Sequence, residues 1–201
     1  MTGEDSAPRV PVAVDAPAGA PPRTPLGWFR TLARDRRGDY TRSDRTLALT
    51  HPWPPGFDPA TSAVYAHNAL DIGAPPAVVF GVLVAATEWP SLYPNAAEVV
   101  IEDGKETVLR AGARFTWITF AVRQESEVTL FNPDVALGWT ADSPGTRAFH
   151  RWWIEPRGGG CRLVTEEAQF GPVAFVGRYW MNRSLRAAHQ LWLECIRDRV
   201  A

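Results

Sequence analysis

Cysteine is scarce in this 201-residue chain. Cys161 and Cys195 are the only two, too few for a disulfide framework, so a reducing, cytoplasmic setting is expected. Lysine is nearly absent: Lys105 stands alone among arginines, a bias we read as genomic rather than functional. Neither charge dominates. With 21 Lys+Arg against 22 Asp+Glu, the chain lacks the excess of positive charge that nucleic-acid binding needs. No apolar run approaches the roughly 18–20 residues of a membrane span, so no integral membrane segment is expected. The acidic first residues do not resemble a signal peptide. The four histidines (His51, His67, His150, His189) show no metal-ligand spacing. Gly158-Gly159-Gly160 leads into a strand rather than a helix, which excludes a phosphate loop. No metal and no cofactor are therefore expected.

What is present is apolar and aromatic: 45% of residues are hydrophobic and 11% aromatic, enough for a packed core. The distribution is uneven. Residues 1–25 carry six of the 18 prolines and few large apolar groups, and are expected to be a disordered tail. Residues 26–60 form an extension. Within it, Leu26, Trp28, Phe29 and Leu32 among arginines suit a short amphipathic helix over 26–37, and the prolines of 51–56 suit a rigid connector. The apolar face of that helix needs a cover, so residues 26–45 are a candidate contact for the chain's own body, a second copy or a carrier protein. Residues 61–201 are regular. They read as a strand (64–72), a helix (77–87) ended by Trp89-Pro90, and six strands (97–102, 113–122, 124–131, 136–141, 147–156, 161–170). A long helix follows (177–200) with Met181, Leu185, Ala188, Trp192, Cys195 and Ile196 on one stripe. His189 borders that stripe and reads as a flank residue. Short spacings imply antiparallel neighbours, an α+β layout.

Several segments carry a family resemblance. They are Leu70-Asp71-Ile72-Gly73-Ala74-Pro75-Pro76, Trp89-Pro90 with Pro94, Glu127-Val128, Phe131-Asn132-Pro133, Leu137-Gly138-Trp139, His150-Arg151-Trp152 and Glu155-Pro156. Over residues 64–201 the chain resembles the START-like, SRPBCC superfamily, and within it the polyketide cyclase/dehydratase-type proteins. The resemblance implies a helix-grip fold: a curved antiparallel seven-stranded sheet wrapped around a long C-terminal helix, with an apolar cavity for a small hydrophobic molecule. Because the superfamily holds cyclases, hydrolytic enzymes, carriers and receptors on one scaffold, it leaves the activity open. It also implies an aromatic near the cavity entrance, at Tyr93.

Strand parity selects the cavity-facing side chains. A hairpin loop at residues 157–160 pairs Ile154 with Leu163 on one face. On the other face it pairs Glu155 with Arg162 and Arg151 with Glu166, satisfying apolar and charged partners together. This register sets His150 across from Glu167 on the inner face, a candidate acid/base pair. Thr165, Trp152 and Asn68 share that face. On the earlier hairpin, Phe115, Trp117 and Thr119 are expected inward, opposite Leu130, Val128 and Ser126, with Glu125 and Glu127 outward. Trp117, Trp139, Trp152 and Trp192 would line the hollow, suiting a polycyclic or polyunsaturated ligand. The residues thus point to a cofactor-independent cyclase/dehydratase-type enzyme for a carbonyl-rich apolar substrate, with His150, Glu167 and Tyr93 catalytic. A non-catalytic binding or carrier protein is the alternative.

Overall fold

The computed structural model describes residues 41–201. The expected tail (1–25) and amphipathic helix (26–37) lie outside the described residues. The chain enters through a one-turn helix, α1 (Thr41–Arg45), and reaches β1 (Val64–Ile72). After β1 come α2 (Pro76–Val84), α3 (Trp89–Leu92), β2 (Ala97–Ile101), β3 (Arg114–Thr119) and β4 (Val122–Asn132). The series closes with β5 (Ala136–Ser143), β6 (Thr146–Arg157), β7 (Gly160–Phe170) and α4 (Pro172–Val200). The strands form one antiparallel sheet in the order β1-β7-β6-β5-β4-β3-β2. α4 packs on its inner face, giving the α+β helix-grip arrangement that the resemblance implies.

Local chemistry explains most element ends. Pro76 opens α2, where a missing N–H costs nothing. The expected helix over 77–87 stops at Val84, where Ala85 leaves helical geometry (ψ 60°), and the Trp89 indole N–H donates to the Leu83 carbonyl at 3.1 Å, satisfying an acceptor of the last turn. Trp89-Pro90 then starts α3 rather than ending a helix. α4 begins at Pro172, five residues before the expected 177, directly after Gly171 turns the chain at φ 103°.

The β6–β7 hairpin has the register expected from its charge pattern, including His150 opposite Glu167 and Arg151 opposite Glu166. The β3–β4 hairpin does not. It turns at Phe120-Ala121, inside the stretch expected to be one continuous strand, so Phe115 pairs with Ser126, Trp117 with Gln124 and Thr119 with Val122. Both turn residues lie in the left-handed region (φ 52° and 61°), the geometry a two-residue hairpin favours, yet neither is Gly or Asn. Asn95 compensates: its Oδ1 accepts the Phe120 N–H at 2.9 Å, and its Nδ2 donates to the Thr119 hydroxyl at 3.0 Å. Relieving the left-handed strain by Ala121→Gly should raise stability by about 1 kcal/mol. An unchanged or lower urea midpoint would refute the turn.

The outer face of the sheet is not left to solvent at β6–β7. Arg151 and Glu166, expected as a surface-facing pair, are fully buried beneath residues 49–57. The Pro-rich connector packs there as a strap, with His51 stacked on Trp153 at 3.6 Å and Trp53 lying over the Arg151 guanidinium at 3.8 Å. α1 closes the sheet edge: Thr41 Oγ1 and Asp44 Oδ2 accept the outward N–H groups of Tyr65 and His67, and Arg186 of α4 pairs with Asp44. Edge strands left bare invite pairing with other chains, so this cover has a structural purpose.

Candidate active site

Between α4 and the inner face of the sheet lies a cavity of about 340 Å³. Its walls come from the β3–β4 tip, from β5, β6 and β7, and from the first six turns of α4. Trp117, Trp139, Trp192, Tyr93 and Thr119 are among its lining residues, and half-exposed Val122, Val173 and Trp180 rim it. Phe115, Trp152, Thr165 and Asn68, expected to touch ligand, are not among the walls. Phe115 and Trp152 belong to the buried aromatic core. Asn68 donates to Gln190 of α4 at 3.4 Å. Thr165 lies behind His150, its hydroxyl 2.7 Å from Nε2.

Three of the cavity's polar side chains, His150, Glu167 and His189, gather at one place. His150, on β6, is buried and pushed well below the usual imidazole range by burial and by the neighbouring His189, so it rests neutral. Its Nδ1 stands 3.6 Å from Glu167 Oε2. Glu167, on β7, is oriented by the Gln169 amide, which donates to Oε1 at 2.6 Å. His189, on α4, joins them. Its Nε2 is 3.3 Å from the same Oε2, and its ring stacks on His150 with centroids 4.7 Å apart and planes 18° apart. The reading of His189 as a flank residue is thus corrected. The signal was in the sequence: four residues after Leu185 and three before Trp192, it lies on the buried stripe of α4.

Tyr93 also lines the cavity. Its ring stacks on Trp192 at 4.5 Å, and its hydroxyl accepts from Asn95 at 3.0 Å. Burial pushes the phenol upward, so it stays protonated and keeps a hydrogen to donate. The indole N–H groups of Trp139 and Trp192 are buried without an acceptor. The arrangement therefore offers a neutral imidazole beside a carboxylate, a protonated phenol and unpaired indole donors, all against flat apolar walls.

The family signature described as polyketide cyclase/dehydrase and lipid transport matches residues 66–194, a stretch that spans β1 through most of α4. The chain belongs to this family. No curated protein matches it. Among solved structures, the hypothetical protein jhp0584 from Helicobacter pylori is 24% identical with a TM-score of 0.69, covering 77% of this chain and 100% of that one. The Zhui aromatase/cyclase from Streptomyces sp. R1128 is 13% identical with a TM-score of 0.55, covering 68% of this chain and 92% of that one. A START superfamily protein from Mycobacterium smegmatis is 10% identical with a TM-score of 0.56, over 68% and 96%. These likenesses show that this member of the polyketide cyclase/dehydrase family shares the START-like fold. Among the described residues, no helix is long and apolar enough to cross a membrane.

Proposed function

We propose that this chain is a cofactor-independent cyclase/dehydratase-type enzyme acting on a hydrophobic, carbonyl-rich, polyketide-like substrate. The observation that carries the reading is the placement of a neutral buried imidazole and a carboxylate together inside a largely apolar cavity with aromatic walls. The flat walls would hold a poly-carbonyl chain folded, bringing a carbon between two carbonyls close to a distant carbonyl. His150 takes the acidic proton of that carbon, and Glu167 stabilises the imidazolium that forms. The carbanion attacks the distant carbonyl and a carbon–carbon bond forms. Tyr93 and the unpaired indole N–H groups supply hydrogen bonds to the developing oxyanion. The imidazolium returns its proton to that oxyanion, giving a hydroxyl; His150 then takes the remaining proton of the same carbon and passes it to the hydroxyl, which leaves as water while a carbon–carbon double bond forms.

The second reading, a binding or carrier protein, draws on the same walls and on the 3.6 Å separation of His150 and Glu167, which is wider than a hydrogen bond. Mass spectrometry of polyketide-like substrates incubated with wild type, His150→Ala and Glu167→Gln separates the two. On the enzyme reading both variants still retain ligand, while product formation falls by about a hundredfold. Retention of ligand with no change of mass in any sample, wild type included, favours the carrier.

A further inference from the structure

We infer that His150, Glu167 and His189 form a binding site for a divalent first-row transition metal of the Zn²⁺ type. One donor atom from each of the three side chains lies within 4.8 Å of the others. Zinc bonds of about 2.0–2.2 Å at tetrahedral angles set neighbouring ligand atoms about 3.4 Å apart. The two separations measured to Glu167 Oε2, 3.3 Å from His189 Nε2 and 3.6 Å from His150 Nδ1, bracket that spacing. The third edge, between the two imidazoles, is no longer than 4.8 Å, and an ion seated there requires the stacked rings to turn so that both lone pairs meet at it. The donor set, two imidazoles and one carboxylate, is one that transition metals take readily.

Hydrogen bonding alone serves this cluster poorly. Both imidazoles turn a nitrogen to the same carboxylate oxygen, and the His150 contact is too long to be a hydrogen bond. A cation between the three groups would satisfy both nitrogens and the oxygen at once. The surroundings are those of a prepared site. His150 and His189 are 2% exposed and Glu167 8%. Thr165 holds the other nitrogen of His150 at 2.7 Å and Gln169 holds the other oxygen of Glu167 at 2.6 Å, the outer partners that fix ring and carboxylate orientation around metals. All three side chains line the cavity, so a fourth position opens toward it, where a ligand carbonyl or water oxygen would coordinate. A bound ion engages the lone pair that the acid–base reading assigns to His150. Metal-loaded and proton-transferring forms are therefore competing states of one cluster, and the inference does not depend on turnover.

The test uses the full chain, stripped with a chelator and titrated with Zn²⁺ by calorimetry, with Co²⁺ read by visible absorption. Wild type should hold one equivalent through gel filtration. His189→Gln and Glu167→Gln should each weaken binding tenfold or more, and the Cys161→Ser, Cys195→Ser double variant should bind as wild type does. Circular dichroism identifies any variant that has lost its fold, and Thr165→Val, which touches no ligand atom, then serves in its place with a loss of about tenfold. Retention of less than a tenth of an equivalent by wild type overturns the inference. So does equal retention by wild type and every folded variant. Neither result bears on product formation, which is measured separately on the stripped protein.

Discussion

Glu166→Gln should destabilise the fold by about 3–5 kcal/mol, the cost of leaving a buried cation without its counter-ion. Glu166 and Arg151 are both fully buried on the outer face of the sheet. The guanidinium reaches Glu166 Oε2 with Nε at 2.8 Å and Nη2 at 2.7 Å. Its Nη1 donates to the carbonyls of His51 and Pro52, each at 3.0 Å. The other carboxylate oxygen accepts from the Leu49 N–H at 2.8 Å and the Tyr65 hydroxyl at 2.5 Å, and meets His67 Nδ1 at 3.1 Å. The pair therefore fastens the strap to the sheet. Thermal unfolding should show a midpoint lower by roughly 10 °C. The double variant Arg151→Met, Glu166→Leu should recover part of the loss, because no buried charge is left unpaired, while the Leu49 N–H and the Tyr65 hydroxyl still lose their acceptor. If the double variant is as unstable as the single one, the lost hydrogen bonds and packing rather than the unpaired charge are responsible.

The same group sets an acid limit. Burial raises the Glu166 carboxyl, but the hydrogen bond from His67, the Arg151 charge and the bonds from Tyr65 and Leu49 outweigh it and hold the carboxyl below its ordinary 4.5. A depressed folded value means that the stabilisation is fully present above about pH 4.5. It is lost as the pH falls through the lower folded value, where protonation breaks the pair. Wild type should therefore lose stability steeply in that acid window, and the double variant should lose less. Parallel slopes would assign acid unfolding to other carboxylates.

Trp192→Ala should cost about 3–5 kcal/mol, because a large buried ring is replaced by a void that its neighbours cannot fill. Trp192 contacts the rings of Trp89, Tyr93, Trp117, Trp139, His150 and Trp152, with centroids 4.5 to 6.4 Å away. It also lines the cavity, so the vacated space joins the ligand site and should admit bulkier apolar molecules. Urea denaturation gives the stability, and an apolar fluorescent dye gives the enlarged site. Trp192→Phe should lose much less, since most ring contacts survive. A loss under about 1 kcal/mol for the alanine variant would show that the aromatic core collapses around the gap.

Much of this structure was legible residue by residue. Alternation and flanking turn residues locate β1, and the charge pairs Glu155–Arg162 and Arg151–Glu166 give the β6–β7 register, which puts His150 opposite Glu167. The β3–β4 turn was not legible, because Phe120-Ala121 carries none of the residues that left-handed turns ordinarily demand. Asn95, distant in sequence, stabilises it. The burial of Arg151 and Glu166 was hidden for a similar reason: a charged pair on a strand looks solvent-facing until another segment folds over it. His189 illustrates the same limit at the site. Helical spacing placed it beside the apolar stripe, but its meeting with Glu167 depends on how α4 lies against the sheet. The sequence by itself determined the succession of strands, the antiparallel hairpins between successive strands and the inner faces of β6 and β7, since these follow from periodicity and near-neighbour pairing, whereas the pairing of β1 with β7 is long-range. Only the tertiary structure decided that two histidines and one carboxylate converge, because convergence depends on the long-range packing of α4 on β6 and β7, which no local pattern encodes.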